Sequence, residues 1–289
     1  MTERHPSRTA ALGSNDRPGD EVLPDRLAPA DIPVVILAGG FGTRMGRDSD
    51  GLPKPLVPIG DQPILWHIMK LYGAHGFRRF VICLGYKSWL IKEYFLTYRE
   101  RLSDIRLELS EEHEPEFLNQ IADEDWEITL AETGLRTGTG GRLGRVERYV
   151  DADTFCFTYG DGIGAVDLTA GLAHHYDQGR IGTVTGVHPG SRYGEMHVDG
   201  AKVTEFNEKP TQAEGFVSGG FFFFQREMFR YVSGDVDLFF ESEPLQHLAR
   251  DGELSVFPHE GFWLGMDTYR ELKQLNDLWE SGEAPWKVW

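Results

Sequence analysis

The stretch Ile32-Pro33-Val34-Val35-Ile36-Leu37-Ala38-Gly39-Gly40-Phe41-Gly42-Thr43-Arg44-Met45-Gly46 decides how the chain is read. Its first six residues are apolar and rich in β-branched side chains, with no polar alternation, which predicts a strand buried on both faces of a parallel sheet. The glycines that follow put a tight turn at the strand's C-terminal end, the edge at which open α/β sheets bind ligands. Such a turn lets backbone N–H groups approach a polyphosphate closely, and Arg44, with Lys54 of Pro53-Lys54-Pro55, adds cations. Two familiar phosphate loops do not fit. After Gly40 and Gly42 the next glycine, Gly46, is one residue late for a dinucleotide fingerprint, and the G-K-[ST] of a Walker loop is absent. On these residues alone, a plain tight turn after a first strand remains open.

Outward from this loop, apolar runs alternate with helical patterns in βαβ rhythm. Helices are expected at 63–75 and 88–98, with a strand at 80–84 between them. Further strands are expected near 105–109, 127–133, 154–158, 181–187, 195–199, 202–206 and 216–224. Further helices are expected near 142–149, 168–177, 226–232, 240–250 and 268–281. The sum is an α/β chain, a Rossmann-like, mostly parallel twisted sheet flanked by helices. Residues 1–30, rich in Arg, Asp, Pro and Ser, read as a flexible N-terminal extension without chemistry, leaving one domain over 31–289. Within it, 111–125 is acidic and poorly periodic, and reads as a loop or protruding insertion whose charge is solvated. The four consecutive phenylalanines 221–224 read as buried strand core.

With 46 acidic and 29 basic residues the net charge is −17, which opposes binding to a nucleic-acid backbone or an anionic membrane. An anionic substrate therefore needs a local basic, Gly-rich island. Cys83 and Cys156 each sit in an apolar run and read as core thiols. No stretch approaches the roughly 18 apolar residues of a membrane span and no apolar secretory h-region is visible, so the expected address is cytoplasmic.

Gly39-Gly40-Phe41-Gly42-Thr43-Arg44 with Pro53-Lys54-Pro55 resembles the G-G-x-G-T-R-L…K-P-K-P signature of the sugar-1-phosphate nucleotidyltransferases, with Met45 in place of Leu and Leu52 in place of the first Lys. The resemblance extends over about residues 33–289. It includes Gln62–Lys70, Leu84-Gly85-Tyr86-Lys87, Thr139-Gly140-Gly141-Arg142-Leu143, Phe157–Gly162, Glu208-Lys209-Pro210, Ser218–Phe222, Gly261–Thr268 and Ala284-Pro285-Trp286-Lys287. It looks closest to the cytidylyltransferase branch that makes CDP-glucose, and implies the nucleotide-diphospho-sugar transferase type of fold.

The resemblance also implies roles. Arg44 and Lys54 would be catalytic cations. Leu37, Ala38, Gly39, Gly40, Gly42 and Thr43 would hold the nucleotide, with Gly85, Tyr86, Thr139, Gly140 and Arg142 around its base. Gly194, Glu195, Glu208, Lys209 and Gly220 would face the sugar phosphate, Lys209 gripping the phosphate. Asp161 and Asp267 would share one Mg²⁺, a pairing that no spacing rule supplies. Taken alone, Asp161-Gly162 is as well a turn, Lys209 a solvated loop cation, Tyr86 simple packing and Arg142 a surface charge at a helix start. The implied partners are CTP and glucose 1-phosphate, within a homo-oligomer. Other base and sugar or cyclitol pairings, and a nucleotide-sugar sensor that binds without turnover, stay as rival readings. A nicotinamide dehydrogenase is disfavoured by the failed fingerprint spacing.

Overall fold

A computed structural model describes residues 26–42, 51–109, 114–119, 124–188, 195–199, 202–207 and 215–289. Its centre is a seven-stranded sheet. In chain order the strands are β1 (Pro33–Leu37), β2 (Arg79–Leu84), β3 (Glu127–Glu132), β4 (Thr154–Tyr159), β5 (Gly182–Val187), β6 (Val217–Gln225) and β7 (Leu254–His259). Across the sheet the order is β7-β5-β6-β4-β1-β2-β3. Every pairing is parallel except the two made by β6, which runs against both β4 and β5. The first strand is buried at every position and lies between β2 and β4, as its uninterrupted apolar run requires.

The helices are α1 (Ile64–Ala74), α2 (Ser88–Leu96), α3 (Tyr98–Leu102), α4 (Thr139–Arg145), α5 (Leu168–Gln178), α6 (Glu243–Arg250) and α7 (Tyr269–Glu280). They divide the core in two. Residues of α1, α2, α5 and α7 cover one face of the sheet, and those of α4 and α6 the other. The phenylalanine run shows the division directly. Phe221 and Phe223 point into the first core, Phe222 and Phe224 into the second, and all four are buried. Cys83 and Cys156 are buried free thiols, and burial pushes the Cys83 thiol up to about 12.

Several boundaries differ from the expectation. Residues 26–30, expected to belong to the extension, make contacts with the domain: Arg26 pairs with Asp177, the Leu27 N–H donates to the Tyr176 hydroxyl, and Pro29–Asp31 forms a short 3-10 turn. The 111–125 insertion contributes Glu116–Phe117, which pairs with Ile105–Arg106 in a brief antiparallel ribbon. Its acids are not merely solvated, because Glu124 pairs with Lys70 and Asp125 with Arg78. Thr97 separates α2 from α3, and the segment 226–232 is a 3-10 turn, Arg226–Arg230. The edge strand β7 was not expected. Exposed positions alternate with part-buried ones along it and Pro258 lies within it, so it carries no uninterrupted apolar run; proline is tolerated at an edge where its missing N–H faces outward.

Two buried histidines tie these layers together as neutral rings. His67 Nε2 donates to the Ile59 carbonyl at 2.9 Å, so its Nδ1 accepts from Trp286 Nε1 at 3.4 Å and anchors the C-terminus. His175 Nε2 accepts from the Gln225 amide at 3.1 Å, so Nδ1–H donates to Thr183 Oγ1 at 2.9 Å, and that hydroxyl meets Ser255 Oγ at 2.7 Å. Burial lowers both imidazoles from 6.5 to about 4, since the charged form would lose its water and an accepting nitrogen. The unfolded chain therefore takes up these protons first, and stability falls as pH drops from about 6.5 towards 4, by about 3 kcal/mol per ring at the low end. Urea unfolding at pH 7.5, 6 and 5 should show this decline, with a shallower slope in His67→Phe; an unchanged slope would refute the assignment.

Candidate active site

The expected phosphate loop opens a cleft of about 450 Å³ at the C-terminal ends of β1 and β4. Leu37, Ala38, Gly39, Gly40, Phe41 and Gly42 form one wall, and Leu135 to Thr139 with Arg142 form another. Lys54, Asp161 and Asp267 lie at its floor, with Tyr159 and Phe239 beside them. Thr43, Arg44, Gly194, Glu208 and Lys209 lie outside the described residues. Glu195 begins the strand Glu195–Asp199, which pairs with Lys202–Asn207 as a separate two-stranded ribbon.

The loop's shape depends on Arg142. This side chain is buried, and its guanidinium donates to the Leu84 carbonyl at 2.9 Å, Thr133 Oγ1 at 2.8 Å, the Gly39 carbonyl at 3.0 Å and the Leu135 carbonyl at 3.4 Å. A Cβ at position 39 would run into the guanidinium, so only glycine fits. Gly42 has φ +63°, and an added Cβ would sit 3.3 Å from that of Lys54. Arg142 is thus neither a surface charge nor a side chain with its donors free for a base.

Gly85 and Tyr86 do not line the cleft. The Tyr86 N–H donates to the Gly39 carbonyl at 3.1 Å, and its ring packs on Phe41 at 5.2 Å, so both residues support the loop from behind. Thr139 lines the cleft while Gly140 is buried against Leu238 behind it; the two are the first residues of α4, which begins earlier than expected. Its glycines read as loop in sequence, yet they are where the segment 233–242 lies against the helix; a Cβ on Gly141 would overlap the Asp235 carbonyl.

A two-residue-turn motif could not have revealed how Asp161 meets Asp267. Gly162–Gly164 pairs antiparallel with Trp263–Gly265, and the Met266 N–H donates to the Asp161 carbonyl at 2.8 Å. This ribbon sets the two carboxylates side by side. Glu271, at the start of α7, accepts from the N–H groups of Asp267 and Thr268 and fixes the backbone there. Lys54 sits in a single 3-10 turn between Pro53 and Pro55, and its Nζ lies 2.6 Å from Asp161 Oδ2 and 2.8 Å from Asp267 Oδ1. Burial would lower its ammonium, but the two carboxylates outweigh burial and hold it above its ordinary value.

A second, smaller cleft of about 100 Å³ lies on the far side of Tyr159, lined by Ser218, Gly219, Gly220 and Trp263, and it shares Tyr159, Asp161 and Asp267 with the first. Gly220, expected to face the sugar, is here; its φ is +77° and the Tyr159 ring lies where a Cβ would be. Sequence reasoning missed the brace behind this wall. Tyr159 donates to Glu241 Oε1 at 2.6 Å and Thr139 to Glu241 Oε2 at 2.7 Å, and no local motif announces Glu241. Two clefts that meet at a carboxylate pair and an ammonium can bring two phosphorylated molecules end to end.

The profile of the nucleotidyl transferase family matches residues 33–276, and the chain belongs to that family. The glucose-1-phosphate cytidylyltransferases of Salmonella typhi and Salmonella typhimurium are each 43% identical to it over 257 residues, covering 89% of this chain and 99% of theirs. A D-glycero-alpha-D-manno-heptose 1-phosphate guanylyltransferase of Campylobacter jejuni is 26% identical, over 68% of this chain and 77% of its own. In fold, the crystal structure of HddC from Yersinia pseudotuberculosis is similar with a TM-score of 0.61 at 21% identity, covering 86% of this chain and 99% of that one. The chain is an enzyme of the nucleotidyltransferase type. Among the described residues, no helix is long and apolar enough to cross a membrane.

Arg142→Lys cannot serve the four acceptors at once; the Gly39 and Leu84 carbonyls keep the Tyr86 and Thr133 donors, but the charge-assisted bonds that tie the three strand ends together, worth about 1.5–3 kcal/mol each, are largely lost. This variant should lose about 2–4 kcal/mol in urea unfolding and bind CTP more weakly by calorimetry; wild-type stability would show that the knot is dispensable.

Proposed function

We propose that this chain transfers a cytidylyl group from CTP to α-D-glucose 1-phosphate, with Mg²⁺, giving CDP-glucose and pyrophosphate. The observation that carries this reading is the meeting of two clefts at Asp161, Asp267 and Lys54, in a chain 43% identical to glucose-1-phosphate cytidylyltransferases over nearly their whole length. The triphosphate takes the glycine-loop cleft and the sugar phosphate the smaller cleft beyond Tyr159. A phosphate oxygen of the sugar then attacks the α-phosphorus in line, the bond to the β-phosphate bridging oxygen breaks, and pyrophosphate leaves with its electron pair.

The donor set fits a magnesium ion. Asp161 and Asp267 present hard carboxylate oxygens to the cleft, with side chains 40% and 31% exposed, and leave further positions for substrate phosphates and water, as Mg²⁺ prefers. When bound, the metal would neutralise phosphate charge between the two polyanions. The protein's own part is positioning and charge. Glycine-loop N–H groups hold the polyphosphate, Lys54 offsets its charge, and the Glu241-braced Tyr159 separates the substrates up to the point of reaction. Arg44 and Lys209 would add cations on the two phosphates. No side-chain nucleophile and no acid–base histidine is required. We place the enzyme in the cytoplasm and expect a homo-oligomer.

The test is pyrophosphate release with Mg²⁺ and glucose 1-phosphate, offering CTP, UTP, dTTP, ATP and GTP in turn. CTP should win clearly, and Asp161→Asn should lower turnover by a factor of about 100 or more with the fold intact by circular dichroism. Preference for another triphosphate would overturn the base assignment. Silence across the panel, repeated with other sugar and cyclitol phosphates, would favour the sensor.

A further inference from the structure

The carboxylate pair is bridged by a cation of the chain itself. Lys54 Nζ bridges Asp161 and Asp267 at 2.6 and 2.8 Å, and its side chain is only 11% exposed. An ammonium at these distances takes one oxygen of each carboxylate, Asp161 Oδ2 and Asp267 Oδ1, and lies between the two groups that would share a divalent ion. Two cations cannot share that space, since a +1 and a +2 charge a few Å apart repel strongly. We propose that Lys54 is the resident counter-cation of the Asp161–Asp267 pair, and that a divalent metal enters only as the ammonium swings out onto a phosphate of the incoming nucleotide. Metal and triphosphate then bind as a coupled pair, each raising the affinity for the other. The inference rests on the metal reading of Asp161 and Asp267 proposed above.

The local structure allows this exchange through the side chain alone. Pro53 and Pro55 flank Lys54, Pro55 is buried, and the turn is closed by Leu56 N–H to the Pro53 carbonyl at 2.8 Å and Val57 N–H to the Lys54 carbonyl at 3.1 Å. The backbone is pinned, while the four-carbon stem can still rotate. That stem lies against the phosphate loop, because a Cβ on Gly42 would be 3.3 Å from the Lys54 Cβ. Rotation therefore carries the ammonium from the carboxylates towards the loop within one cleft. Without a nucleotide the ammonium has no anion to go to, and the metal meets an occupied pair. The device also keeps two adjacent carboxylates from repelling one another before substrate arrives.

The probe is Mn²⁺, read as free ion by electron paramagnetic resonance, titrated into the full chain without nucleotide at pH 7.5. Lys54→Met removes the competing charge at similar length and should bind one Mn²⁺ about tenfold or more tightly than wild type. Lys54→Gln should do the same, which guards against a folding defect in either variant. In the double variant Lys54→Met/Asp161→Asn the gain should vanish. With α,β-methylene-CTP present, wild type should remove more free Mn²⁺ than the analogue removes alone, and Asp161→Asn should not. If both single Lys54 variants fold by circular dichroism yet bind Mn²⁺ no tighter than wild type, the exchange is refuted while the metal reading stands. If Asp161→Asn still binds Mn²⁺ normally with the analogue, or the double variant keeps the gain, the metal is elsewhere and both readings fall.

Discussion

One buried guanidinium organises the functional edge of the sheet. Three adjacent parallel strands end at one edge, and Arg142 collects oxygens from each end: the Gly39 carbonyl after β1, the Leu84 carbonyl at the end of β2, and Thr133 Oγ1 after β3. The Leu84 and Gly39 carbonyls each take a backbone donor, from Thr133 and Tyr86, and Arg142 fills their second acceptor positions while linking the three strand ends to one another. A planar fork of fixed donors can serve several such oxygens at once, which a lysine point charge cannot. The partners that hold it are neutral oxygens, so its positive charge is not cancelled in place and its field reaches into the adjoining cleft. For a chain of net charge −17 that must accept a triphosphate, the residue that closes the fold also supplies part of the attraction.

Much of the fold is legible in sequence because burial on both faces leaves a plain mark. The run Val34–Leu37 and the phenylalanines 221–224 have no polar alternation, and both are central strands. The same logic fails where one side of an element is open. The edge strand β7 alternates and contains Pro258, so no continuous apolar run betrays it. It fails differently at α4, where Gly140 and Gly141 argue against a helix by propensity. Tertiary packing wins there: the Leu238 side chain covers Gly140 and the Asp235 carbonyl approaches Gly141 too closely for a Cβ, and the helix starts at Thr139.

In the site, sequence pattern alone exposes the glycine loop and its cations, because close backbone approach demands particular residues in one short stretch. The family resemblance was needed to pair Asp161 with Asp267, since their proximity comes from a ribbon, Gly162–Gly164 against Trp263–Gly265, that joins distant parts of the chain. Resemblance also placed Tyr86 and Arg142 near the base without saying how. The structure sets Tyr86 behind the loop and turns Arg142 inward. Glu241 carries no signal at all, being one acid among many whose importance lies in the two hydroxyls that reach it.

Those hydroxyls explain why the two clefts remain distinct. Tyr159 belongs to both, and its ring is held from three directions: by Glu241 at its hydroxyl, by Gly220 whose missing Cβ admits the ring, and by the edge of Phe222 at 6.1 Å. A wall held this way gives each cleft its own boundary and leaves Asp161 and Asp267, beyond its foot, as acids common to both. Two anions converging there meet first the very groups that would repel them. Only a cation lodged between those acids makes the junction passable, and the cation that the chain itself supplies there is Lys54.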